Sequence, residues 1–327
     1  MKKKIAIVTG GYSGEAEISY KSVITVSNNV DTELFESYII DITKKGWFYT
    51  DVLGNKTLVD KNNFTIQVNG ETIHFDAILI CLHGTPGEDG KLQGYFDMIG
   101  LSYTGCNAAT SAITFNKRYT VAVAAFGGIN VAKSVHLFKQ SKYDVDDILS
   151  TLQLPVFVKP NNGGSSLGMS KVVDATALQA AIEKAFAEDS QVLVEEMVSG
   201  REFTIGVYKT EGNVEVLPIT EVIAHNEFFD YEAKYLGKSE EITPAKIDDE
   251  TKKKIEAAAS KVYALLNCSG VVRIDFIFCN KTHQPFMLEV NTVPGQSQAS
   301  IVPQQVIAKG LTLKQFYTSL IQEALSK

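Results

Sequence analysis

The chain has 327 residues, 45% of them hydrophobic and 21% charged, and a formal net charge of −7. That balance can fill a sizeable core, and the length fits about two domains or one domain with subdomains. The negative charge carries no basic stripe, which argues against a nucleic-acid partner, and no apolar run reaches the ~18 residues of a membrane span.

The opening MKKKIAIVTGG sets lysines before an apolar stretch, but Ile5–Val8 is too short for the core of a signal peptide. Cys81, Cys106, Cys268 and Cys279 show no CxxC spacing and sit mostly inside apolar runs, as reduced buried thiols do. A cytoplasmic protein with no membrane partner is expected.

In chain order, IAIVTGG reads as a strand closing on a glycine turn, and EAEISYKSVITVSNNV follows with helical spacing. SYIIDIT is a second strand, FDAILICLHG a third buried on both faces, and Gly90–Ile99 a short helix. Strands alternating with helices predict an α/β fold with a parallel, doubly wound sheet. In such sheets ligands sit at the carboxyl ends of strands, which places Gly10–Glu15 and His83–Gly90 on one rim. A helix over roughly 108–126 leads to a second unit, with strands at 155–160, 169–173 and 192–197 and the helix TALQAAIEKAFAE between the last two. From about 200, EFTIGVYK and VEVLPITEV begin a third segment. It continues through the irregular HNEFFDYEAKYLGKSEEITPA, a helix over 248–266, a hairpin, and a C-terminal helix from about 312.

That hairpin raises a question of charge. Val271, Val272, Ile274, Phe276, Ile277 and Phe278 are apolar enough for a buried strand, yet Arg273 and Asp275 interrupt them, and the returning strand carries Glu289 and Asn291. Residues i and i+2 share a strand face. A register symmetric about residue 282 sets Asp275 opposite Glu289 and Arg273 opposite Asn291. Opposed carboxylates repel, and a divalent cation would resolve the conflict. Carboxylate and amide oxygens suit Mg²⁺ or Mn²⁺ rather than zinc, with phosphate oxygens completing the shell. Arg273, one of the few arginines among 31 basic residues, would clamp phosphate through paired hydrogen bonds. A solvated strand face accounts for one such charge, but not for four convergent groups followed by a Pro-Gly turn.

KPNNGGSSLGMSKVV sets glycines and serines between two strands, where backbone N–H groups can turn toward phosphate. It is not a Walker loop, because Met169 follows Gly168 where lysine is required. Lys159 at its entrance supplies positive charge, although a lone strand-end lysine is ordinarily just solvated. VLVEEMVSGRE ends a strand with Glu195 and Glu196 and then presents Glu202. Such an end can read adenine and an acid can hold ribose hydroxyls; an ordinary solvated strand end explains this segment equally well.

IAIVTGGYSGEAEIS, LHGTPGEDGKLQGYFDMIGLSYTG, VKPNNGGSSLGMSKV, YEAKY, RIDF and LEVNTVPG stand in an order that resembles the D-alanine–D-alanine ligases of the ATP-grasp superfamily, from Ile5 to past Pro303. The resemblance implies a substrate domain over 1–107, then a two-subdomain ATP-grasp fold with mixed and antiparallel sheets, divided at 108–198 and 199–327. It implies that ATP phosphorylates one D-alanine and that the amine of a second attacks the acyl phosphate, for peptidoglycan precursor synthesis. Asp275, Glu289 and Asn291 would hold Mg²⁺ or Mn²⁺, two ions in this family. Arg273 and the N–H of Gly295 would steady the transferring phosphoryl group and the tetrahedral intermediate. Lys117, Lys159 and Lys234 look like nucleotide lysines, Glu195, Glu196 and Val198 like the adenine edge, and Glu202 like the ribose ligand. Glu15 would hold the first ammonium, His83 would lie near the first carboxylate, and Ser300 would bind the second. Ser165 and Tyr235 would close loops over the site and connect to Glu15. A homodimer is implied as well.

Relatives that use D-lactate tend to carry phenylalanine where this chain has Tyr235, which favours an amine nucleophile. Gln296, Gln298 and Ala299 depart from a family in which methionine often follows Pro-Gly, so they bear on the second subsite. D-lactate or D-serine is therefore the alternative second substrate. A nicotinamide dehydrogenase built on VTGGYSGE lacks the GxGxxG spacing and leaves Asp275, Glu289 and Asn291 unexplained. A non-catalytic nucleotide binder would not need that intact set, and a structural protein would have no reason to bury it.

Overall fold

The computed structural model describes residues 2–162, 168–224 and 239–327. The chain begins with β1 (Lys3–Gly10), α1 (Ala16–Asn29), β2 (Phe35–Thr43), β3 (Gly46–Thr50) and β4 (Lys56–Leu58). A separate hairpin, β5 (Ile66–Val68) and β6 (Glu71–Ile73), precedes β7 (Ala77–Ile80) and α2 (Lys91–Ile99). The first sheet runs β4-β3-β2-β1-β7. Its β2-β1-β7 portion is parallel, and β1 and β7 are buried along their apolar runs, as a sheet covered on both faces requires. Beyond the expected parallel strands, β3 and β4 extend the sheet antiparallel. The turn at Lys44–Lys45 returns the chain at once onto β2, and an antiparallel neighbour needs no crossover helix.

The helix expected over 108–126 is two helices, α3 (Ala108–Phe115) and α4 (Lys117–Phe126). Asn116 breaks it: its backbone is extended (φ −99°, ψ 103°) and its side chain accepts the Tyr119 N–H, an N-cap of α4. Lys117 thereby becomes the first residue of a helix.

The stretch 127–154, unassigned from sequence, contains β8 (Ser134–Phe138) and α5 (Val145–Thr151). Next come β9 (Val156–Pro160), β10 (Ser170–Val172), α6 (Leu178–Glu188) and β11 (Gln191–Glu196), giving an antiparallel sheet in the order β10-β9-β11-β8. Leu178, Ile182 and Phe186 of α6, at helical spacing, pack into its core.

The third sheet uses β12 (Gly200–Thr210), β13 (Asn213–Val216), β14 (Thr220–Ala224) and β15 (Ser239–Ile242), then α7 (Asp249–Leu265), β16 (Val271–Cys279) and β17 (Pro285–Asn291). Its order is β15-β14-β12-β16-β17, with β13 against β12. Pro218, which has no N–H to give a ladder, falls in the gap that splits VEVLPITEV into β13 and β14. Ile255, Ala259, Val262 and Tyr263 form the buried stripe of α7.

The chain ends in α8 (Ile301–Ala308) and α9 (Leu313–Leu325). A Thr312–Gln315 capping box starts α9. Its Phe316, Tyr317, Leu320 and Ile321 pack with Ile5 and Leu79 of the first sheet and with Val23 and Val26 of α1. This return of the C-terminal helix brings the 292–300 loop beside the carboxyl ends of β1 and β7. Among the described residues, no helix is long and apolar enough to cross a membrane.

Candidate active site

A cavity of about 380 Å³ lies where the first sheet's carboxyl rim meets the β16–β17 hairpin. It brings together Glu15, His83, Lys117, Glu202, Arg273, Asp275, Glu289, Asn291, Gly295 and Ser300, which stand far apart in sequence.

The hairpin holds the expected register at the site: Arg273 is opposite Asn291 and Asp275 opposite Glu289. Beyond Asp275 the pairing shifts, Phe276 facing Met287, so that Leu288 is the extra residue of a bulge. The apolar far end and the polar near end can thus each keep their own register. In this structure the guanidinium of Arg273 separates the two carboxylates. It grips Asp275 through Nε–Oδ1 at 2.9 Å and Nη2–Oδ2 at 2.8 Å and stands 3.8 Å from Glu289. Thr204 donates its hydroxyl to Asp275 Oδ1, and the Asn291 amide donates to Oδ2 at 3.3 Å. Asp275 is largely buried at the cavity wall, and these donors satisfy most of its carboxylate.

The donor chemistry fits Mg²⁺ or Mn²⁺. Asp275 and Glu289 are hard oxygen donors on one hairpin face, and Asn291, which offers Nδ2 to Asp275, keeps an amide oxygen for a cation. Among the described residues, no group of three or more His, Cys, Asp or Glu side chains could hold a metal. An ion here would therefore draw on Asn291 and on substrate oxygens.

The opposite wall comes from the first sheet. Glu15 precedes α1 and receives a weak hydrogen bond from Ser13 at 3.4 Å. Burial, and then the neighbouring charge of Glu88, hold its carboxyl above the ordinary value, against the pull of His83 and Lys117. Its ionised form therefore destabilises the fold at neutral pH. The stability associated with Glu15 is complete below its ordinary value of 4.5 and is lost as pH rises through the elevated folded value. Glu15→Gln should gain thermal stability relative to the parent between pH 4.5 and 7 in melting experiments. A constant difference across that range would contradict the assignment.

His83 is buried, its Nε2 3.0 Å from the Ser22 hydroxyl and its Nδ1 3.9 Å from Glu88. On the third wall, a Cβ at Gly295 would come within 2.8 Å of Ser300 Oγ, so the loop closes tightly there. The Ser300 hydroxyl accepts the Ser297 N–H at 3.1 Å.

The remaining nucleotide candidates are not among the residues lining this cavity. Lys159 forms an ion pair with Glu195 across the β9–β11 ladder. The Glu196 carboxylate, half-buried, accepts the Gln153 N–H at 2.8 Å. Val198 follows the end of β11, half-buried. Ser165, Lys234 and Tyr235 lie outside the described residues.

Three residues that line the cavity, and one buried residue behind them, carry no clear signal in the sequence. Glu88 lines the cavity and accepts the Gly84 N–H at 2.9 Å; it sits inside the HGTPGEDG motif, where its acidity was visible. Thr204 shares a strand face with Glu202, two residues away. Glu241 lines the cavity, its carboxyl raised by burial against the pull of Arg273. Gln305 behaves as an internal tie, with Oε1 accepting the Gly206 N–H at 2.9 Å and Nε2 donating to Thr204 O and the Thr220 hydroxyl, each at 3.0 Å. No local pattern marks a helical glutamine for that role.

Comparison with known proteins matches residues 4–106 to the family D-ala D-ala ligase N-terminus and residues 117–322 to the D-ala D-ala ligase C-terminus. The chain is 45% identical over 325 residues to a D-alanine–D-alanine ligase of Parabacteroides distasonis, covering 99% of this chain and 98% of that protein. It is similar in structure to the VanG D-Ala:D-Ser ligase of Enterococcus faecalis, with TM-score 0.89, 32% identity, and coverage of 99% and 100%. It is also similar to the D-alanine–D-alanine ligase of Bacillus anthracis complexed with ATP, with TM-score 0.79, 27% identity, and coverage of 99% and 98%.

Proposed function

The chain belongs to the D-alanine–D-alanine ligase family, and we propose that it joins two D-alanines while converting ATP to ADP and phosphate. One observation carries the reading: the Arg273–Asp275–Glu289–Asn291 hairpin faces Glu15 and His83 across a single cavity.

In this proposal Glu15 holds the ammonium of the first D-alanine and His83 stands by its carboxylate. A carboxylate oxygen attacks the γ-phosphorus of ATP, the bond to the bridging oxygen breaks, and ADP leaves D-alanyl phosphate. The second D-alanine is held by its carboxylate at Ser300, before the N-terminus of α8, where backbone N–H groups favour an anion. Its amine attacks the acyl carbon. The tetrahedral intermediate expels phosphate, which carries away the proton that the nitrogen gives up. Arg273 and the Gly295 N–H neutralise charge on the transferring phosphoryl group and on the intermediate. Asp275, Glu289 and Asn291 would hold two Mg²⁺ or Mn²⁺ ions, whose charge offsets that of the phosphates when bound.

Lys117, Lys159 and Lys234 would face the phosphates, Glu195, Glu196 and Val198 the adenine, and Glu202 the ribose. Ser165 and Tyr235 would close over the site, because an acyl phosphate open to water hydrolyses. Similarity to the D-Ala:D-Ser ligase VanG keeps D-serine as the alternative second substrate, with D-lactate behind it. We place the protein in the cytoplasm, where ATP and peptidoglycan precursors are available, as a homodimer. The chain would divide into three units, 1–107, 108–198 and 199–327, a reading that the separation of the three main sheets supports.

D-Alanine labelled with ¹⁸O in its carboxylate tests the intermediate. The mechanism delivers one labelled oxygen into inorganic phosphate for each dipeptide formed. Phosphate without label, at the same rate of dipeptide formation, would exclude D-alanyl phosphate.

A further inference from the structure

We infer that Ser22, itself held by Gln296, fixes the His83 imidazole with its proton on Nδ1. All the side chains of this chain of contacts are buried. Ser22 is wholly inaccessible, and His83, Gln296 and Tyr317 are each nearly so.

The backbone N–H of Gln296 can only donate, and it donates to Ser22 Oγ at 3.1 Å. The same oxygen lies 3.0 Å from His83 Nε2. A hydroxyl can accept twice, but buried Ser22 Oγ has no hydrogen-bond partner among the described residues other than the Gln296 N–H and His83 Nε2, so its own hydrogen goes to the imidazole, Nε2 accepts and Nδ1 carries the proton. The other side of the ring agrees: Nδ1 faces Glu88 Oε1 at 3.9 Å, where an N–H is attracted and a lone pair is repelled. Ser19, one turn earlier on α1, accepts the His83 backbone N–H at 2.9 Å. Two serines at i and i+3 therefore hold both the backbone and the ring of one histidine.

The arrangement also accounts for the side chain of Gln296. Its side-chain oxygen accepts the Tyr317 hydroxyl at 3.1 Å. The glutamine thus points into the α9 core and not into the substrate cavity, and it anchors the residue directly after Gly295. Ser22 and Gln296 are positioning residues that act through His83. The charged groups near the ring are Glu88 and Glu15, with Lys117 across the cavity.

The kinetic consequence rests on the reading of His83 as a first-substrate residue; the tautomer does not. Histidine-selective ¹⁵N NMR of the intact protein, with the His83 signal identified by its loss in His83→Gln, should show the Nδ1–H tautomer. Ser22→Ala should move that signal toward Nε2–H. It should also raise the KM for D-alanine at the first site by about tenfold, the effect of losing one hydrogen bond, with kcat changed far less. An Nε2–H tautomer in the parent overturns the inference, as does a Ser22→Ala variant that leaves the tautomer unmoved. A correct tautomer in a protein without ligase activity would overturn the proposed function and leave this inference standing. A shifted tautomer with unchanged KM would remove His83 from first-substrate binding alone.

Discussion

Asp275→Asn is expected to lower kcat by about 10³-fold or more while the protein stays folded by circular dichroism. The carboxylate is bound by the Arg273 fork, the Thr204 hydroxyl and the Asn291 amide. An asparagine oxygen can still accept from Arg273 Nε and Thr204. Its amide nitrogen, however, would then face the donors of Arg273 Nη2 and Asn291. One mispaired buried site costs about 1–3 kcal/mol, a tolerable fraction of the roughly 5–15 kcal/mol that keeps a domain folded. Loss of the charge is much more serious for catalysis. It takes one hard anionic ligand from the proposed metal site and loses one arm of the fork that orients Arg273, and phosphoryl transfer depends almost entirely on such positioning. Activity within tenfold of the parent would remove Asp275 from the metal site.

The second large effect is a matter of charge opposition. In Arg273→Met, Asp275 and Glu289 would face each other with no guanidinium between them. Breaking a buried pair costs about 3–5 kcal/mol. The cost here should be nearer the lower end, because the Arg273 side chain keeps 22% of its exposure. Turnover should fall by about 10³-fold or more, as it does when an arginine that neutralises a phosphoryl transition state is removed. Stability should respond in the opposite sense to metal. With no nucleotide present, Mg²⁺ should raise the melting temperature of Arg273→Met more than that of the parent, because the ion then replaces the missing charge and binding to the native state alone stabilises it. Equal responses to Mg²⁺ would mean that the two carboxylates do not form a cation site.

The hairpin was legible because conflict was written into it: charges at period two inside a run too apolar to be solvated. Register followed from symmetry about the turn, and the bulge at Leu288 did not, because nothing in PFMLEVN distinguishes a bulged leucine from a paired one. The parallel core of the first sheet was legible from the continuous apolar runs of β1 and β7. The antiparallel β3 and β4 were missed because their alternation spans only a few residues each. Asn116 inside AATSAITFNKRYTVAVAAF does not stand out as a helix break, since a cap is visible only when the residues after it are known to start a new axis. Contacts such as Gln305 to β12 and Gln296 to Tyr317 join residues that are distant or featureless in sequence, and only packing reveals them. The same limit applies to Glu241, whose importance comes from the burial around it and from Arg273 nearby.

The most direct measurement is ADP formation by the purified protein with ATP and Mg²⁺, with D-alanine, L-alanine, or D-alanine plus D-lactate as acceptors. A D-alanine–D-alanine ligase releases ADP with D-alanine alone, matched mole for mole by D-alanyl-D-alanine, and is silent with L-alanine. ATP turnover that does not depend on D-alanine, or that yields no dipeptide, would contradict the proposed function.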